Sequence, residues 1–248
     1  MSAFSLNQGK QWIKNSPNPI AKILFKQLKA LFQFELPAPR WLMQFFYHSY
    51  IFSRSFVASV MRLFIWTPLF KGRLTKIGQR LNLYGGLPYF SGPLSMTVGS
   101  DCRISGQTTF SARTCGATSP QLQVGNNVDI GWMTTIAVGS RVQLGDNVRI
   151  AGRAFLAGYP GHPIDPINRA LGLPDTDDQV GDIIIEKDVW LATGVSVMAG
   201  VHIGQGTIVA AGSVVTQDLP AMVLAGGVPA RVIRTLTTSD KPDAVKGK

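Results

Sequence analysis

Acidic residues are almost absent from the first part of this chain: residues 1–95 hold twelve lysines and arginines and a single acid, Glu35. Residues 96–248 hold twelve basic and thirteen acidic residues, so the formal net charge of +10 is carried by the N-terminal segment alone. That asymmetry points to an anionic partner for one end of the molecule. Long apolar runs are missing too. In the aromatic stretch 41–70 the longest segment free of Lys and Arg is the thirteen residues 41–53, short of the roughly 18 apolar residues that a membrane span needs. Residues 1–14 lack the apolar core of a signal peptide, which points to the cytoplasm. Soft ligands are scarce. The chain has three histidines and two cysteines, and Cys102 and Cys115 lack ligand-like spacing. His48, His162 and His202 have neither the spacing nor the context of a three-ligand metal site, so no metal is expected. Cys102 reads as a buried free thiol, in keeping with a reducing compartment. No recognition motif accompanies the basic segment, so nucleic acid is not the expected anion.

What the basic segment does have is a helical pattern. Asn18 can cap a helix starting at Pro19, a favoured first position. Over residues 18–34, Lys22, Lys26 and Lys29 fall on one face, while Ile20, Leu24, Leu28, Leu31 and Phe32 gather largely on another. Such a helix either packs on its own protein or lies on anionic lipid headgroups. Residues 41–70 also read as helices, and their Trp, Phe and Tyr beside basic residues suit an interface plane.

From residue 185 to 215 the pattern changes. Ile185, Leu191, Val197, Ile203, Val209 and Val215 recur every sixth residue, and four residues after each of the first five stand Val189, Val195, Val201, Thr207 and Ser213. A helix spaces apolar residues by three and four, and a strand alternates by twos. Period six is the mark of a β-solenoid whose coils stack with the aliphatic series inside. Shorter phases precede it: Val98, Ile104, Phe110; Val124, Ile130, Ile136; and, after a step of eight that implies a two-residue bulge, Leu144, Ile150, Leu156. Gly125 to Val128 and Gly145 to Val148 suit corners, since Gly and Asn tolerate the left-handed backbone region. Cys102 falls in the small inward slot four residues after Val98.

The pattern resembles the hexapeptide-repeat acyltransferases, in their sugar and polysaccharide O-acetyltransferase branch. Three local matches carry the resemblance: Gly161-His162-Pro163-Ile164-Asp165-Pro166, Asp188-Val189-Trp190-Leu191-Ala192-Thr193-Gly194, and Ala211-Gly212-Ser213-Val214-Val215-Thr216 followed by Gly227-Val228-Pro229-Ala230-Arg231-Val232-Ile233-Arg234. It implies a mainly β protein, a left-handed parallel β-helix preceded by an α-helical basic region, working as a homotrimer. The expected organisation is a basic, aromatic-rich helical region over 1–80 and a catalytic β-helix over 81–218 with a loop insertion at 157–184. A coenzyme A-proximal segment with a flexible tail follows over 219–248.

The resemblance also assigns residues. His162 is the expected general base, taking a proton from a sugar hydroxyl, a task suited to neutral imidazole. The backbone amide of Thr193 is the expected oxyanion donor. Trp190 and Ala192 would border the pantetheine arm of acetyl-CoA, Ala211 and Thr216 the nucleotide end, and Arg231 or Arg234 would meet phosphate. Gln217 stands where the family usually has Lys. The family's acceptor-binding Asn has no clear counterpart, so the acceptor falls to Thr134, Thr135, Asp165 and Arg169. No Ser or Cys nucleophile stands beside a base, so direct transfer is expected over an acyl-enzyme.

The expected activity is acetyl-CoA-dependent O-acetylation of a sugar, on a lipid-linked or polysaccharide precursor, by a protein lying peripherally on the inner face of the cell membrane. The other readings are a soluble small-sugar or xenobiotic acetyltransferase, a γ-class carbonic anhydrase lacking its histidines, and a non-catalytic scaffold.

Overall fold

An aliphatic residue at every sixth position becomes a triangular coil when short strands alternate with turns, because three strands bring the chain back above its start. In the computed structural model, which describes residues 6–116 and 119–237, Ile185 pairs in parallel with Ile203, and the strands sort into three sheets, one per face. The first face stacks Val98, Val124, Leu144, Ile185 and Ile203. The second stacks Leu83, Ile104, Ile130, Ile150, Leu191, Val209 and Ala225, and the third Phe90, Phe110, Ile136, Leu156, Val197 and Val215. Apart from Phe90, every one of these is at most 5% exposed, and burying a side chain of this size contributes roughly 1.5–3 kcal/mol. The step of eight after Ile136 is absorbed by lengthening two strands, Thr135–Val138 and Arg141–Leu144, so that Val138 and Val142 also turn inward.

The second series lies inside as well. Val189, Val195 and Val201 are buried with Thr207 and Ser213, whose hydroxyls donate to the carbonyls of Pro220 (2.6 Å) and Ala210 (2.7 Å). A hydroxyl is tolerated there because a turn carbonyl is within reach. Cys102 occupies the same kind of slot as a free thiol, pushed up by burial. The Gly-Asn/Asp corners are turns in which Asn127 and Asn147 take positive φ of 53° and 60°, and Asp188, one coil on and after Glu186-Lys187, takes 63°. Their side chains form a ladder: Asn127 Nδ2 donates to Asn147 Oδ1 and Asn147 Nδ2 to Asp188 Oδ1, both at 2.8 Å.

The sheets begin at Lys76–Ile77, a little before the expected 81, and parallel pairing passes 218 to the strand Val223–Gly227. There the chain reverses through the cis Val228–Pro229 bond into the antiparallel strand Ala230–Thr235. The tail expected beyond it, residues 238–248, lies outside the described residues.

Two compact units are present, Met1–Ser53 and Arg54–Lys248. The first contains α1 (Leu6–Asn15) and α2 (Pro19–Phe32). Asn18 caps α2 as its sequence suggests, its Oδ1 accepting from the Ile20 N–H at 2.9 Å. Ile20, Leu31 and Phe32 are exposed, and Ala21 is the buried residue of the helix. A third helix, α3 (Arg40–Met61), crosses the boundary, and among the described residues no helix is long and apolar enough to cross a membrane. In the second unit a π-helical turn, Arg62–Trp66, leads into α4 (Thr67–Arg73). Here the reading of 41–70 as interfacial helices needs correction at its end. Phe70 is fully buried in the solenoid core beside Phe90, and Arg73 donates to the Leu94 carbonyl at 2.9 Å, so α4 closes the first coil. Aromatic density alone does not tell a lipid-facing ring from one that plugs the open end of a solenoid.

Candidate active site

The break in period after Leu156 is a loop that leaves the third face at the end of strand Phe155–Ala157 and returns at Ile183–Ile185 on the first. Within it Asp165 caps α5 (Pro166–Ala170), Oδ1 accepting from the Asn168 N–H at 2.8 Å. Arg169, on that helix, donates back to the carbonyls of Pro163 (3.1 Å) and Ile164 (2.9 Å). On the other side of His162, the Gly161 N–H donates to Asp175 Oδ2 at 3.0 Å, and Gly161 has the positive φ (79°) that the tight turn needs. The backbone is thus anchored immediately before and after His162, and Pro163 is buried while His162 itself is exposed. That is the placement wanted for a side chain that must meet a substrate.

Asp175 is itself held. Arg113 Nε donates to its Oδ1 at 2.6 Å and Nη2 to its carbonyl at 2.9 Å, and Arg113 Nη1 reaches Asp177 Oδ1. The hydrogen bonds to Asp177 and Asp175 push the Arg113 guanidinium above its ordinary range.

One coil later, the corner between strands Trp190–Leu191 and Ser196–Met198 carries Thr193. Its neighbours are committed to the ladder, the Ala192 N–H to Val209 O and the Gly194 N–H to Gly152 O, both at 3.0 Å. Among the described residues the Thr193 N–H has no acceptor, while its carbonyl accepts from the Gly212 N–H at 2.9 Å. Trp190 points outward from the second face, 49% exposed, between Arg149 and Ile208.

Residues 182–217 match the family model described as bacterial transferase hexapeptide, six repeats. Those residues are hexapeptide repeats of the kind that model describes. It is 39% identical over 119 residues to a putative acetyltransferase of Saccharomyces cerevisiae, YJL218W, covering 48% of this chain and 58% of that protein. It is 34% identical over 145 residues to the galactoside O-acetyltransferase of Escherichia coli K12, covering 58% of this chain and 66% of that protein. The chain therefore spans under two thirds of these relatives' length. Among solved structures, AntD, an N-acyltransferase from Bacillus cereus in complex with dTDP-4-amino-4,6-dideoxyglucose and coenzyme A, superposes with a TM-score of 0.56 at 19% identity, covering 70% of this chain and 90% of that one. That likeness shows the fold, a left-handed parallel β-helix.

Within the hexapeptide domain the expected site residues separate by edge. Trp190, Ala192 and Thr193 lie at or beside the edge between second and third faces, with Ala211 one coil beyond in the same column. The His162 loop leaves at the edge between third and first faces, and Thr216 follows Val215 at that same edge, two coils on. Arg231 and Arg234 are exposed on the antiparallel strand, with Arg231 Nη1 donating to the Ala230 carbonyl.

Thr134 is a correction. It is fully buried with Oγ1 turned to the Ala151 carbonyl at 3.4 Å, so it lines the core and cannot contact an acceptor. Its position, four residues after Ile130, is the inward slot of the repeat. Thr135 does face outward, between Thr109 and Phe155 on the third face. Asp165 and Arg169 spend their polar atoms shaping the loop, one as a helix cap and the other as a brace. Arg113, which sequence reasoning missed, lies sixty-two positions from Asp175; the available signal was the acidic run Asp175, Asp177, Asp178 in a loop whose single Lys or Arg is Arg169. His202 lies on the outer side of the first face, with Nε2 3.0 Å from Glu186 Oε1. The Gln205 N–H and then His202 hold the Glu186 carboxyl below its usual range. Among the described residues no group of three or more His, Cys, Asp or Glu is placed to hold a metal ion.

Proposed function

We propose that the hexapeptide domain transfers an acetyl group from acetyl-CoA to a hydroxyl of a sugar. The observation that carries this reading is an exposed imidazole, His162, on a loop tied down on both sides of it. The similarity to the galactoside O-acetyltransferase supports the sugar as acceptor class. His162 takes the proton of the acceptor hydroxyl as its oxygen bonds to the acyl carbon. The Thr193 N–H, free of any ladder bond among the described residues, donates to the acyl oxygen as negative charge grows there. The carbon–sulfur bond breaks, and His162 returns the proton to the departing thiolate. Trp190 offers the pantetheine arm an apolar wall, and Arg231 and Arg234 are cations suited to phosphate.

Because the His162 edge and the Thr193 edge of one chain are different edges of the prism, the reading includes a homotrimer. In it the His162 loop of one copy faces the Trp190 edge of another, and transfer requires both. Thiol release from acetyl-CoA, followed with a panel of free sugars and lipid-linked glycans, tests the activity. Acceptor-dependent release is expected, and none with any member of the panel would overturn the reading.

The reading extends to a lipid-linked or polysaccharide precursor at the inner face of the cell membrane. Its support is the basic segment 1–95 with the exposed apolar residues Ile20, Leu31, Phe32, Phe45, Phe46 and Phe52, since each Lys or Arg near an anionic surface is worth about 1 kcal/mol. The full-length protein is expected to float with anionic vesicles and not with neutral ones, and a Lys22→Glu, Lys26→Glu, Lys29→Glu variant to stay behind. Sedimentation of the unaltered protein away from anionic vesicles would remove the membrane part and leave a soluble sugar acetyltransferase.

A further inference from the structure

We propose that Arg113 and Asp175 are positioning residues, a buried ion pair that fixes the loop carrying His162 and so sets where its imidazole stands. The proposal rests on the reading of His162 as the base. Arg113 directly follows the strand Thr109–Ala112, at the edge between third and first faces, and its N–H donates to the Val138 carbonyl at 3.0 Å. The loop departs from the same edge two coils later, after Ala157, so it must fold back along the prism to put Asp175 on Arg113. Once there, Asp175 is saturated. Oδ1 receives Arg113 Nε, Oδ2 receives the Gly161 N–H, and the main-chain carbonyl receives Arg113 Nη2. Cys115 Sγ adds a contact at 3.4 Å to Oδ1. The chain of contacts from the rigid solenoid to the residue before His162 is therefore only two side chains long.

Burial decides how this pair is to be read. The side chains of Arg113 and Asp175 are 8% and 2% exposed. Bringing two charges into such a place costs desolvation that their attraction roughly offsets, so a buried pair is a poor device for stability. It is a good device for geometry, because the planar guanidinium fork accepts one arrangement of carboxylate and carbonyl and a mobile loop has many. A base displaced by 1 Å can lose 10²-fold in rate, and α5 with Arg169 braces the loop only from its own residues. Arg113 links Gly161 to the body of the domain through Asp175, and two residues earlier the Tyr159 hydroxyl makes a longer contact to Ser111 Oγ at 3.5 Å.

The test uses a double variant, Arg113→Met with Asp175→Asn, so that no unpaired charge is left buried and an oxygen remains for the Gly161 N–H. Thermal melting, kcat, the KM for acetyl-CoA, and tryptic cleavage after Arg169 are measured on the full-length protein. The expected result is melting close to the unaltered protein, kcat lower by about 10- to 10²-fold, and KM for acetyl-CoA within about twofold. Cleavage after Arg169 is expected to be faster by about tenfold or more, since the cut needs local opening of the loop. Arg113→Lys, which keeps the charge and loses the fork, should recover only part of kcat. Unchanged kcat and unchanged cleavage in the double variant would overturn the proposal. So would a loss of kcat matched by an equal loss of melting stability with no faster cleavage. If the unaltered protein itself shows no turnover, the functional reading fails separately and cleavage after Arg169 alone decides whether the pair holds the loop.

Discussion

His162→Ala is expected to lower kcat for acetyl transfer by about 10²-fold or more, the usual contribution of a positioned general base. KM for acetyl-CoA should hold near its original value, because the imidazole acts on the hydroxyl and makes no ground-state contact with the donor. The fold should not notice. His162 is exposed, and its loop is held through Gly161, Pro163 and Ile164, whose contacts are made by backbone atoms. Steady-state kinetics beside a thermal melt separates the cases. Lost turnover with unchanged melting supports the base; equal turnover by both proteins would mean that His162 is not the base, and the assignment of the loop would fall with it.

Phe110→Ala is expected to have the largest effect on stability, about 3–5 kcal/mol, the range for deleting a buried aromatic from a packed core. Phe110 is fully buried on the third face, and its ring is the inner member of a stack running from α4 into the prism. Phe70 lies 5.7 Å from Phe90, and Phe90 5.2 Å from Phe110, centroid to centroid. Solenoid coils contact only their neighbours, so the damage should be local. Amide exchange is expected to quicken over α4 and the first two coils, residues 67–112, while the strands from Ile183 onward keep their protection. Chemical denaturation with residue-level exchange checks both parts. A uniform rise in exchange along the whole stack would contradict nearest-neighbour stacking, and a loss under about 1 kcal/mol would mean that the aromatic stack collapses to fill the gap.

The solenoid was legible because its cause is periodic. Six-residue spacing marks a stacked solenoid, and the left-handed corners at Asn127 and Asn147 follow from Gly-Asn/Asp chemistry that can be read two residues at a time, whereas the corner at Asp188, after Glu186-Lys187, lacks that glycine signal. The cap at Asn18 was legible for the same local reason. What failed was long-range or a matter of counting. Thr134 was assigned to an acceptor from its hydroxyl, although the same count that put Thr207 inside puts Thr134 inside too. Phe70 could not be told from the rings around it, since burial against the first coil depends on where α4 lands. Arg113 was invisible because a buried pair between positions 113 and 175 leaves no spacing to read. Only the loop's unmatched acids hinted that a cation would arrive from elsewhere.

The two rims of the stack bear on a problem that any repeating sheet has. Parallel strands laid one over another at a spacing of about 4.8 Å present, at each end, the same unpaired edge that nucleates fibrils. Nothing inside the repeat tells it to stop. On the second face the strand Ala230–Thr235 runs against its neighbour, and a register shift between Leu224 and Ala225 spoils the match. Among the described residues the outermost rung of that face is therefore oriented the wrong way for a parallel copy to extend it, and Arg231 and Arg234 put like charges where two such rims would meet. At the opposite rim Phe70 sits in the first coil and turns a template into a wall. A chain built on the geometry of a fibre is in this way kept to a finite length, by polarity and charge at one end and by a helix at the other.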